Sequence, residues 1–140
     1  MMVGLLVIAH GVFGESLIDS VTHVLGRRPE RLEHVRVDAR DTPEQVSARL
    51  EQAIIALDDG SGVLVLSDIC GATPCNVASK RLGRGVEMIA GASLPMLLRA
   101  VSYRDQPLER VVEKAIAGGR EGVMRIVNEV NEATHATPAN

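Results

Sequence analysis

The chain has 140 residues and a formal net charge of -3, with one phenylalanine, one tyrosine and no tryptophan. That length suits a single domain, and an apolar content of 46% is enough for a core of Val, Leu, Ile, Ala and Met. The acidic balance and the scarcity of aromatic rings argue against a phosphate-backbone binder and against a base-stacking nucleic-acid surface.

In chain order, the first element is the apolar run Met1 to Ala9, which stops at His10-Gly11. A continuous Val/Ile/Leu run bounded by turn residues reads as a buried parallel strand. The run has no basic leader and is too short to span a bilayer, so a cytoplasmic protein without direct membrane insertion is expected. Glu15 to Leu25 has apolar residues at helical spacing (Leu17, Ile18, Val21, Val24, Leu25), with Gly26 as its stop. Glu33 to Asp38 alternates and suits a second strand. Thr42-Pro43-Glu44-Gln45 combines an N-cap, a first-turn proline and a Gln three residues on, which is a capping-box pattern. Val46, Leu50, Ala53, Ile54 and Leu57 then form one helix face, closed by Asp58 to Gly62.

Val63 to Ser67 is a third strand, followed by Asp68 and the loop Ile69-Cys70-Gly71-Ala72. Thr73-Pro74 reads as cap plus first-turn proline of a helix reaching about Leu82, broken by Gly83-Arg84-Gly85. Val86 to Ala90 is a fourth strand. Ser93 caps a helix over Leu94 to Val101, and Asp105-Gln106-Pro107 opens another through Ala117, ended by Gly118-Gly119. Val123 to Val127 reads either as an edge strand or as a last helical turn. The whole is an α/β domain, doubly wound around a mostly parallel four-stranded sheet, spanning residues 1–130, with 131–140 as a flexible tail.

The chemistry is expected at the carboxyl ends of the strands, where open parallel sheets bind ligands. A neutral imidazole can accept a phosphoryl group, and His10 ends the first strand. It needs a carboxylate on one ring N–H to fix its tautomer and sharpen the other nitrogen; Asp68, at the end of a neighbouring strand, is the candidate. Gly71, Ala72 and Thr73 precede a helix start, so their amides can bind the phosphoryl oxygens. The Thr73 hydroxyl either adds a donor or is used as the cap. The two cysteines, Cys70 and Cys75, are too close together to staple a domain and match no zinc pattern. They read as reduced thiols, and neither metal nor cofactor is expected.

The segments Val7-Ile8-Ala9-His10-Gly11, Leu64 to Asn76 and Gly91-Ala92-Ser93-Leu94-Pro95-Met96-Leu97 together resemble the mannose-family EIIA component of the bacterial sugar phosphotransferase system. The resemblance covers roughly residues 2–127, and its specific part is Asp-x-x-Gly-x-[Ser/Thr]-Pro-x-Asn from Asp68 to Asn76. It implies a phosphohistidine at His10, formed by transfer from the phosphocarrier protein HPr. It implies Asp68 as the carboxylate partner and Gly71, Ala72 and Thr73 as the phosphate cradle. It further implies a IIB-type acceptor or regulatory target, and a homodimer in which Val123 to Val127 crosses to the partner subunit.

Two positions depart from the family pattern. Ala72 stands where a second glycine is common, and Cys75 where an aromatic is common. Three rivals share part of the signature. The phosphotransferase subunit of a dihydroxyacetone kinase has the fold and the histidine, but Thr73-Pro74 favours the mannose type. A receiver domain would need an acidic pair where this chain has Ala9-His10. Cys75 to Arg81 fits Cys-x5-Arg of cysteine phosphatases, yet its residues read as helix interior rather than as a flexible phosphate loop. A non-catalytic binding module of the same fold is the broader alternative. Phe13, just past His10, is the one residue expected to be exposed and to touch a partner.

Overall fold

A strand covered on both faces has no polar side to alternate, and two strands here show this. In β1 (Gly4–His10) every residue before His10 is buried, and in β3 (Val63–Ser67) all are. The computed structural model describes residues 1–128. Among them the sheet has four strands, all parallel, in the order β2-β1-β3-β4. The edge strands β2 (Leu32–Val37) and β4 (Val86–Ala90) are only partly buried, as their mixed sequences require.

Alternation along the strands sorts the core into two layers. Leu5, Val7, Ala9, Leu64 and Leu66 pack toward α1 (Phe13–Leu25), α4 (Leu94–Tyr103) and α5 (Leu108–Glu121). Leu6, Ile8, Val63 and Val65 pack toward α2 (Pro43–Leu57) and α3 (Thr73–Ser79). Helices thus cover both faces, and the fold is doubly wound. Thr42 and Gln45 form the capping box expected from their spacing, with Gln45 N–H donating to Thr42 Oγ1 at 3.2 Å and Thr42 N–H to Gln45 Oε1 at 2.9 Å. Among the described residues no helix is long and apolar enough to cross a membrane.

Several boundaries differ from the sequence reading. Helix α1 begins two residues earlier, at Phe13, and α4 extends to Tyr103. Helix α3 stops at Ser79 rather than near Leu82, because Lys80 and Arg81 bond three residues back, to Val77 and Ala78, and the turn tightens. Gly118-Gly119 does not end α5, which runs on to Glu121. These glycines are there for close approach: a Cβ on Gly118 would lie 2.6 Å from Arg99 Cβ and 3.0 Å from the Pro95 carbonyl. Residues 123–128 are neither helix nor strand. The tail expected over 131–140 lies outside the described residues.

At the amino ends of the strands a single buried side chain ties three elements together. The Arg104 guanidinium, 5% exposed, donates to the Val3 carbonyl at 2.8 and 3.0 Å, to that of Arg31 at 2.7 Å, and to that of Glu30. Its own carbonyl accepts from Val3 N–H at 2.9 Å. Burial, with repulsion from Arg31, holds this guanidinium below the usual arginine range despite nearby Asp105 and Glu30. Such a group is tolerated because its donors meet carbonyl oxygens.

The α4–α5 contact makes a sharp prediction. Helix propensity alone favours Ala over Gly by about 1 kcal/mol. At Gly118 the obstruction is backbone and a Cβ, so Gly118→Ala should cost about 1–2 kcal/mol net, a fall of roughly 4 °C in thermal midpoint. At Gly119 the nearest atom is the mobile Met96 Cε, 2.9 Å away, so Gly119→Ala should leave the midpoint unchanged or slightly raised in the same calorimetric scan.

Candidate active site

The chain leaves β1 for β2 on one side of the sheet and reaches β3 on the other, so the strand order reverses between β1 and β3. A crevice is expected beyond the carboxyl ends at that reversal. His10 is the last residue of β1, and Asp68 is the first after β3. Since Leu6 and Ile8 face α2 and α3, alternation turns His10 to the same side, where Thr73 opens α3.

The two residues meet. Asp68 Oδ2 accepts the His10 backbone N–H at 2.9 Å and lies 2.7 Å from ring Nδ1. Asp68 Oδ1 accepts the Ile69 N–H at 2.8 Å. The Asp68 side chain is 14% exposed and that of His10 53%. Burial works against charge on Asp68, but the His10 amide, the His10 ring and the Ile69 amide outweigh it, and the carboxyl sits below its ordinary range. An ionised carboxylate only accepts, so Nδ1 carries the proton and donates it, which leaves the lone pair on Nε2. The loop is held from the far side too: Gly91 N–H donates to the Asp68 carbonyl at 3.1 Å and Ala92 N–H to that of Ser67 at 2.9 Å. That is the structural use of the Gly91-Ala92 segment.

Beside His10 is a cavity of about 340 Å³ lined by His10, Gly11 and Thr73 on one side and by Val37, Asp38, Ala39 and Asp41 on the other. His10, Asp68 and Thr73 are therefore brought together. Gly71 and Ala72 do not line this cavity; they form the loop between Asp68 and Thr73. Thr73 is the first residue inside α3, and Ala72 is the cap, without a side-chain hydrogen bond. The expectation that Thr73 caps the helix is corrected: with its own backbone already helical, its hydroxyl is not committed to capping. The departures at the loop also resolve. Gly71 has φ +91°, a region that favours glycine, whereas Ala72 has φ -112° and ψ 172°, ordinary extended backbone where a methyl fits.

Asp38 and Asp41 were not singled out by sequence, although both lie just past the carboxyl end of β2, the same rule that found His10. Neither is an uncompensated charge. Arg36 Nε donates to Asp38 at 2.8 Å, and Arg49 Nη2 donates to Asp41 at 2.8 Å. The Arg49 bond, with the Asp38 N–H, holds the Asp41 carboxyl below its usual range. Among the described residues no three His, Cys, Asp or Glu side chains gather as a metal set. The Cys75–Arg81 stretch is helix and turn rather than a phosphate loop: Cys75 is buried in α3, and Arg81 Nε is bound to Glu51 at 2.6 Å.

Comparison with known proteins bears on this geometry. The EIIA-man family model, described as the PTS system fructose IIA component, matches residues 4–116. The mannose-specific EIIAB component of the phosphotransferase system from Escherichia coli K12 is 28% identical over 143 residues, covering 99% of this chain and 44% of that protein. The chain thus spans less than half the length of that relative. A crystal structure of a phosphotransferase system EIIA component from Streptococcus agalactiae superposes with a TM-score of 0.80 at 27% identity, covering 89% of this chain and 97% of the other. The mannose/sorbose-specific IIA subunit from Enterococcus faecalis gives a TM-score of 0.82 at 24% identity over 91% and 97%.

The lowered Asp68 carboxyl has a consequence for stability. A group with a depressed folded-state pKa contributes in full above its unfolded value, here 3.8, and loses that contribution as pH falls through the folded value. Urea unfolding of the wild type and Asp68→Ala should therefore show a stability gap above the ordinary carboxylate range that narrows as pH falls through it. The part of the gap due to ionisation should vanish below it.

Proposed function

Because this chain belongs to the mannose-type EIIA family of phosphotransferase-system components, we propose that it is a phosphohistidine carrier that takes a phosphoryl group from HPr on His10 and passes it to a IIB-type acceptor or holds it as a regulatory signal. The observation that carries this reading is the double grip of Asp68 on His10, which holds the ring while Nε2 stays free at an open rim. In the transfer, the Nε2 lone pair attacks phosphorus and a P–N bond forms. The donor's P–N bond breaks, and its electron pair returns to the donor imidazole. The positive charge that develops on the His10 ring is balanced by Asp68 across the 2.7 Å contact. We assign the phosphoryl oxygens to the Gly71, Ala72 and Thr73 N–H groups and the Thr73 hydroxyl; of these residues only Thr73 lines the cavity beside His10. A carrier that serves HPr works in the cytoplasm.

The dimer implied by the family also finds support. The outer edge of β4 has no strand beside it among the described residues. Two cavities of about 370 and 430 Å³ run between that strand and α5, bordered by Glu87, Leu108, Val112, Ile89, Ile116 and Val123. The segment that follows exposes Val123, Met124, Ile126 and Val127. In our reading this segment pairs along β4 of a second copy, and the partner returns its own.

Two experiments test these readings. Intact-mass analysis after incubation with enzyme I, HPr and phosphoenolpyruvate should show one added, acid-labile phosphoryl group. His10→Ala should abolish it, Asp68→Ala should slow it by about 10²- to 10⁴-fold, and Thr73→Ala should cost less. A wild-type rate in Asp68→Ala would remove the pairing from the mechanism. Light scattering of the full chain should give a dimer and of a variant lacking residues from 123 onward a monomer; an unchanged mass would reject the exchange.

A further inference from the structure

The wall of the cavity across from His10 is acidic. Asp38 and Asp41 line it, whereas Arg36 and Arg49, which bind them, do not. Arg49 Nη2 is held further by the Arg36 carbonyl at 3.0 Å. Each ion pair therefore presents its negative end to the cavity. The wall is also fixed relative to the imidazole. Val37 lies opposite His10 in the β1–β2 register, and its carbonyl accepts the Gly11 N–H at 2.9 Å. Asp38 follows at once, and the turn closes on itself: Asp38 N–H donates to Asp41 Oδ2 at 2.7 Å, and Asp41 N–H to the Asp38 carbonyl at 3.0 Å. This turn needs an oxygen on side chain 41 but no charge, and it uses Asp38 only through its backbone. The Asp41 side chain is 18% exposed, so water and salt screen its charge only in part.

Two further carboxylates are an unexpected surrounding for a group that carries phosphate, since like charges repel. Asp68 already supplies the one that the ring N–H uses. We infer that Asp38 and Asp41 set the transfer potential of His10: their carboxylates repel the phosphoryl group on Nε2 and make the phosphorylated chain a stronger donor. The inference rests on the carrier reading. In the exchange the P–N bond of HPr breaks, its electron pair returns to the HPr imidazole, and the P–Nε2 bond forms; the reverse step restores both. Asp38 and Asp41 make and break no bond in it. They act through their field, which raises the energy of the phosphorylated side alone. A wall of cations would instead hold the group in a deeper well and release it slowly.

The equilibrium constant for phosphoryl exchange with HPr isolates this role, because a contact that changes only the rate of exchange leaves the equilibrium where it is. Intact masses of both proteins, approached from phosphorylated HPr and from the phosphorylated chain, give that constant. Asp38→Asn and Asp41→Asn keep the shape and one acceptor oxygen of each side chain and remove its charge. Each should shift the equilibrium toward the phosphorylated chain by roughly three- to tenfold, the double variant further, and the gain should shrink in high salt. Damage to the site would shift it the other way. An unchanged constant, or one moved toward phosphorylated HPr, would overturn the role. A wild type that takes no phosphoryl group from HPr would overturn the carrier reading itself, and the role of the wall with it.

Discussion

One carboxylate oxygen joins the ends of two strands. Asp68 Oδ2 takes both the backbone amide and the ring nitrogen of His10, so the position and the tautomer of the imidazole are set by a single atom. That contact requires the β1–β3 register, in which Ile8 lies opposite Ser67. A slip of one residue would turn His10 to the other face of the sheet and point it at α1. The burial of β1 and β3 on both faces, which drives the core, is therefore also what aims the site.

Much of this was legible because strand ends and caps are local. β3 and β4 fall where their apolar runs lie, the Thr42 capping box forms as spelled, and His10 and Asp68 converge because both follow strands that must be central. The readings that failed depended on tertiary contact. Gly118-Gly119 looks like a helix stop in isolation, yet it is where Arg99 and Pro95 of α4 press against α5. Arg104 carries no sequence signal at all, because the carbonyls that surround its guanidinium belong to residues 73 to 101 positions away. Thr73 looked like a cap because Ser/Thr-Pro usually is one; here the extended backbone of Ala72 takes that place.

The two ends of the sheet differ in how they are fastened. At the amino ends a buried guanidinium that donates to three carbonyls fastens the end of α4 to the start of β1 and to the turn before β2. At the carboxyl ends a helix begins on valine instead of a capping residue, whereas positive-φ glycines occur at both ends of the sheet, at 11, 71 and 91 here and at 62 and 85 opposite. The first arrangement favours stability. The second gives up local stability and leaves His10 and Thr73 exposed.

This asymmetry suits the proposed transfer between two proteins. A phosphoryl carrier must hold its imidazole still, since a misplaced nucleophile loses most of the benefit of proximity. It must also leave that imidazole open to a macromolecule, which a deep pocket would prevent. Placing the histidine on a strand buried along its length, and letting only the last residue emerge, meets both demands. The carboxylate that orients it directly follows the adjacent strand, also buried to its end. The pair is thus held by the sheet and the Asp68 bonds, and it is surrounded by the loops 11–12, 38–41 and 69–72. A change in partner can be met by altering those loops without disturbing the His10–Asp68 pair.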